Sequence, residues 1–142
     1  MNVGFTGSRQ GMTIKQEESF INIISKIDIG EFHHGDCIGS DKEAHGIIKE
    51  NATSVRIFVH PPRNGRNRAF CKGDFQAPEK NYLVRDKEIV EASDMLIATP
   101  CQDSEVIRSG TWTTIRYAKK ARKKIMIIYP SGIVRKIGCE NE

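Results

Sequence analysis

The chain contains no apolar run long enough to cross a bilayer and no basic leader followed by an apolar stretch. A membrane span and a secretory signal are therefore not expected, and a cytoplasmic protein is. Repeats, low-complexity tracts and composition shifts that would mark a linker are absent too. With 142 residues and 38% hydrophobic content, one domain over 1–142 is predicted. The cysteines Cys37, Cys71, Cys101 and Cys139 form no C-x-x-C, and His33, His34, His45 and His60 show no zinc-ligand spacing. Reduced structural thiols, no metal and no cofactor are the expectation. Aromatic residues make up only 7% of the chain, and the basic run Lys119, Lys120, Arg122, Lys123 and Lys124 has only Tyr117 beside it. That run is poorly supplied for stacking on bases and falls at a predicted helix C-terminus, where cations are favoured in any case, so nucleic acid is not an expected partner. The net charge of +4 suits a small anionic ligand.

What the sequence does contain is an alternation of short apolar runs with amphipathic segments. Asn2 to Thr6 reads as a strand. A helix from about Thr13 to Ile27 follows, with Ile14, Phe20, Ile21, Ile24 and Ile27 inward, Lys15, Gln16, Glu18 and Lys26 on the other face, and Thr13 with Gln16 as a capping box. Strands over 31–34 and 54–60 enclose a helix over 40–50 bearing Ala44, Ile47 and Ile48 inward. Residues 81–92 form a helix with Leu83, Ile89 and Val90 apolar, 94–98 a strand, the segment opened by Ser109 a helix, and 124–129 a last strand before a tail from about 130. This order predicts a Rossmann-like α/β fold: an open parallel sheet of about five strands with helices on both faces. Between 61 and 80 periodicity is lost and Arg63, Arg66 and Arg68 stand among glycines, asparagines and prolines, which reads as a basic lid.

Three glycine-bearing junctions follow strands, at Thr6-Gly7-Ser8-Arg9, at Gly35-Asp36-Cys37-Ile38-Gly39-Ser40-Asp41, and at Ser109-Gly110-Thr111. In a parallel sheet such junctions share one edge, where backbone N–H groups at helix starts, hydroxyls and the Arg9 guanidinium suit phosphate. Asp36 and Asp41 suit a ribose hydroxyl or a base amino group, although Asp41 is also a favourable first-turn helix charge. Arg85 has a bland explanation as a surface ion pair with Asp86 or Glu88, His33 and His34 as strand residues facing one in and one out, and Trp112 as a core anchor.

The motifs Gly4-Phe5-Thr6-Gly7-Ser8-Arg9, His34-Gly35-Asp36 with Gly39-Ser40-Asp41, Asn81-Tyr82-Leu83-Val84-Arg85-Asp86 and Ser109-Gly110-Thr111-Trp112 occur in this order. Together they resemble the SLOG superfamily, the Rossmann-like group that includes DNA-processing protein A and the LOG cytokinin-activating enzymes, and are most similar to its small bacterial and phage members. The resemblance covers roughly residues 1–130. It implies a pocket for a nucleotide or nucleotide-derived signal lined by Gly7, Ser8, Arg9, Gly35, Ser109, Gly110 and Thr111, with Asp36, Ser40, Asp41 and Arg85 as further candidates, and a homodimer or higher homo-oligomer. Sensing or sequestration follows, including the phage-type sponge that blocks nucleotide-based immunity. The LOG branch, which cleaves nucleoside 5′-monophosphates, pairs an arginine with a glutamate three residues after its Gly-Thr. Here Arg85 fills the first role, but Thr114 stands in the second position. A threonine has neither the charge nor the acidity that the chemistry needs, so binding without cleavage is expected unless Asp36 or Glu105 substitutes. Single-stranded DNA binding, as in DNA-processing protein A, is the remaining alternative.

Overall fold

The computed structural model describes residues 1–138, so Cys139 lies outside the described residues. Seven strands form one sheet in the order β4-β3-β2-β1-β5-β6-β7: β1 (Asn2–Gly7), β2 (Glu31–His34), β3 (Arg56–Val59), β4 (Phe75–Gln76), β5 (Met95–Thr99), β6 (Lys124–Ile128) and β7 (Val134–Ile137). All neighbours are parallel except β6 and β7. The predicted α/β architecture is therefore present, with two more strands than expected. One is β4, within the segment 61–80 that lacked periodicity. The other is β7, within the expected tail: the chain reverses through Tyr129–Gly132, with Gly132 at φ +88°, and pairs back on β6.

Helices α1 (Ile14–Ile24), α2 (Ser40–Asn51), α3 (Tyr82–Glu91) and α4 (Gly110–Lys120) cover the two faces. Alternation along β5 shows the division. Met95 and Ile97 join the core under α1 and α2, while Leu96 and Ala98 join the one under α3 and α4. On the first face Phe5, Phe20 and Phe32 pack with ring centroids 5.4–6.1 Å apart, and each buried ring contributes about 2–3 kcal/mol. On the second, β1 admits α3 closely at Gly4, where a Cβ would meet Ser93 Oγ at 2.5 Å. Trp112 is a core anchor and donates its Nε1–H to Gln102 Oε1.

Several predicted faces are corrected. Ile14 and Ile21 on α1 and Leu83 on α3 are exposed, while Ile23 joins the buried side of α1. Gln16, placed on the polar face, is buried: its Oε1 accepts from Thr13 N in the capping box, and its Nε2 donates to Pro100 O and Ile128 O. One amide thus caps α1 and satisfies two carbonyls beyond the ends of β5 and β6. His33 and His34 are both buried, because the sheet interior is covered on both sides.

Candidate functional site

Successive crossovers leave β1 and β5 toward opposite edges of the sheet, so a crevice opens beyond their C-terminal ends. A cavity of about 360 Å³ lies there. Its walls are Thr6, Gly7, Ser8 and Arg9 after β1; Gly35, Cys37 and Asp41 after β2; Tyr82, Arg85 and Asp86 on α3; and Cys101, Gln102, Ser109, Gly110 and Thr111 after β5. Gly7, Ser8, Arg9, Gly35, Asp41, Arg85, Ser109, Gly110 and Thr111 thus line one cavity.

The three junctions have different jobs. At the start of α2, Gly39 has φ +88° and offers no side-chain cap; Ser40 instead donates from its N–H (3.0 Å) and its Oγ (2.7 Å) to the Ser8 carbonyl. The positive end of α2 is therefore occupied by the chain's own backbone, and the buried Ser40 is outside the cavity lining. The first junction is likewise a folded turn, with Ser8 N donating to Thr99 O and Gly11 N to Ser8 O, and α1 begins only at Ile14. Of the three junctions, only the third brings the first residue of its helix to the cavity lining. Ser109 Oγ accepts from Trp112 N at 3.3 Å, and nothing lies within 4 Å of where a Gly110 Cβ would stand. The positive end of an 11-residue helix therefore borders the cavity. Arg9 is exposed, and its guanidinium lies over the Tyr82 ring at 5.7 Å.

The wall formed by α3 differs most from its bland reading. Arg85 is buried, not a surface ion pair: Nε donates to Asp86 Oδ1 at 2.8 Å, and Nη1 donates to Gly35 O, to Cys37 Sγ and to His60 O. Burial opposes its charge, but Asp86, Cys37 and Asp41 outweigh that and hold it cationic. Glu88 pairs with Lys80 instead. Burial pushes Asp86 up despite Arg85, and burial pushes Asp41 up to about 7. Asp41 Oδ2 accepts from Cys37 N at 3.1 Å, while Oδ1 is buried with no partner among the described residues.

Neither carboxylate proposed as a substitute for the missing glutamate lines the cavity. Asp36, at φ 55°, accepts from Arg68 Nε through Oδ2 (2.9 Å) and from Cys71 N through Oδ1 (2.8 Å). Its work is to fasten the segment 61–80, which Ile38 N to Asn67 O and Ala69 N to Asp36 O also hold. Arg68 is bound between Asp36 and Glu79, and Arg63 and Arg66 are exposed; none of the three lines the cavity. The segment is a docked wall, touching the site through Asn67 Nδ2 and the Tyr82 hydroxyl. Glu105 is exposed and pairs with Arg116, which holds its carboxyl below the ordinary value. Sequence reasoning passed over Asp86 as a functional carboxylate because its neighbours in sequence explain it as an ion pair; only the packing of α3 against α4 puts it near Thr114.

A second cluster stands behind this wall. His34, His45 and Cys71 converge closely enough for a metal ion, against the expectation drawn from spacing alone. The hydrogen bonds leave no imidazole lone pair for one. His34 Nδ1 accepts from Asp36 N, so neutral His34 carries its proton on Nε2 and donates to His45 Nδ1 at 2.9 Å. Coordination through His34 Nε2 would require an imidazolate. Burial and the neighbouring His45 hold His34 well below its ordinary value, consistent with a neutral relay.

Among the described residues no helix is long and apolar enough to cross a membrane. The basic run follows the C-terminal end of α4, the end of that helix away from the cavity. No family model matches the chain, and no curated protein or solved structure matches it either.

Proposed function

We propose that the chain binds a nucleotide or nucleotide-derived signalling molecule in the crevice between β1 and β5, as a sensor or sequestering protein of the SLOG type. The observation that carries this is the α4 start at Ser109-Gly110 in the cavity wall, with open space beside Gly110, Arg9 exposed and Arg85 buried. An anionic group would take the α4 N–H groups, and the Arg85, Asp41 and Tyr82 side would meet the sugar or base. A cytoplasmic location, a homo-oligomeric state and a sponge role against nucleotide-based immunity belong to the same reading. Mass spectrometry of small molecules released on denaturing the purified protein tests it, together with calorimetry against mono-, cyclic and ADP-ribose nucleotides. Absence of any released ligand and of any binding would end it.

A second reading, cleavage of a nucleoside 5′-monophosphate at its glycosidic bond, is favoured by one specific observation. Asp86 supplies a half-buried carboxylate beside Arg85, on the helix that packs against α4, which itself has none. Chromatography of AMP incubated with the protein separates the two readings: intact AMP supports binding alone, and released adenine supports cleavage.

A further inference from the structure

Asp41 is a carboxylate whose hydrogen bonding is unfinished. It is 6% exposed, lies in the first turn of α2 and lines the cavity, yet only Oδ2 has a partner, the Cys37 N–H. Oδ1 has none among the described residues. Arg85 does not supply it, since its hydrogen bonds go to Asp86, Gly35, Cys37 and His60. An ionised carboxylate left in this condition costs several kcal/mol, so the empty cavity favours a proton on it.

We propose that ligand binding in this crevice is proton-linked through Asp41: the carboxyl is protonated while the crevice is empty, and it releases that proton when the side chain turns Oδ1 to an N–H or O–H donor of the ligand. The inference rests on the nucleotide-binding reading above and adds the ligand's required chemistry: besides an anionic group, a hydrogen-bond donor at the depth of Asp41. A ribose hydroxyl and an exocyclic base amino group both qualify. The charged and titratable groups around Asp41 are Arg85 and Asp86 on α3 and Asp36 and Cys37 after β2, with Arg9 after β1 and Cys71 at greater remove. Of these, Arg85 favours the ionised form, and Asp86 and Asp36 oppose it. Losing the proton to a ligand donor costs no bond to the protein, because the Cys37 N–H stays on Oδ2. The donor then completes the pair.

The experiment is calorimetry of AMP binding from pH 6 to pH 8, in buffers of different ionisation enthalpy, to wild type and Asp41→Asn. The phosphate titrates in this range as well, so the difference between the two proteins is what counts. The expected result is that wild-type affinity gains about tenfold over the variant between pH 6 and pH 8, with up to about one extra proton released per site near pH 6. Repetition with 2′-deoxy-AMP, 3′-deoxy-AMP and purine riboside 5′-monophosphate identifies the donor, because the analogue lacking it loses the difference. Binding with the same pH dependence and proton count in wild type and Asp41→Asn overturns the inference and leaves the nucleotide reading standing; a difference retained by all three analogues overturns the donor requirement. Failure of all four nucleotides, and of the cyclic and ADP-ribose nucleotides, to bind either protein overturns both.

Discussion

The Thr114 hydroxyl on α4 donates to the Gly110 carbonyl at 3.0 Å, and the Asp86 carboxylate stands near it on the facing α3. Negative charge on this side of α4 therefore comes from the facing helix. It is paired to Arg85, and a carboxylate so held can stabilise a bound cationic centre less freely than an unpaired one. We expect AMP to remain intact over many hours. Adenine release abolished by Asp86→Asn would instead establish the second reading and make Asp86 the reacting carboxylate.

Gly110→Asp should remove nucleotide binding without unfolding the protein. A side chain there meets nothing within 4 Å, so the substitution is sterically free, but its carboxylate would occupy the anion's place at the α4 start. Circular dichroism and thermal unfolding should match wild type while calorimetry shows no heat of binding; retained binding would take the α4 start out of the site.

Arg9→Ala tests the opposite wall. Arg9 is exposed and stacked over Tyr82, and makes no ion pair among the described residues. It is available for a charge-assisted bond to phosphate, and its loss should weaken binding of AMP by about 1.5–3 kcal/mol and flatten the salt dependence. An equal loss for adenosine would show that Arg9 acts by packing on Tyr82.

Gly39→Ala addresses the scaffold. Its φ of +88° disfavours any side chain, and a Cβ would stand 2.3 Å from the Arg9 carbonyl oxygen, a backbone atom that cannot move aside cheaply. A loss of at least about 2 kcal/mol in urea unfolding is expected, along with loosening of the Ser8 turn. Gly46→Ala, at an exposed helical glycine with open space around it, should be neutral or stabilising.

The pH dependence of stability combines two opposed contributions. His60 is pushed down to about 4, by burial first and then by His33, and burial also lowers His34 and His45. In these cases the unfolded chain binds the proton more readily. Their contribution is full above about 6.5 and is lost as the pH falls toward 4, worth about 3 kcal/mol for His60 alone. Asp41, raised to about 7 by burial, works the other way: its contribution is present below 3.8 and is lost as the pH rises through 7. Asp41→Asn should therefore lose stability more steeply than wild type between pH 7 and pH 4. It should exceed wild type by about 1–3 kcal/mol at pH 8, the unpartnered amide offsetting part of the gain. Urea midpoints at pH 5, 6, 7 and 8 measure both effects.

By itself the sequence determined the order of elements and the faces of the central strands. Alternation over Met95–Ala98 is a local property that survives any packing, and Thr13, Asn81 and Ser109 cap helices with their own side chains. It also determined that three glycine junctions gather at one edge, because in a parallel sheet every strand ends on the same side. Tertiary structure decided which junction stays open. The start of α2 is taken by the Ser8 carbonyl, a partner 32 residues away that no local pattern announces. It decided the fate of the carboxylates too: Asp36 is consumed by Arg68 and Cys71, while Asp41 and Asp86 reach the cavity. Local periodicity tells a residue which way to face. What it finds there depends on the elements that pack across from it, and for Gln16 and Arg85 those elements made a buried polar contact of what sequence alone reads as surface.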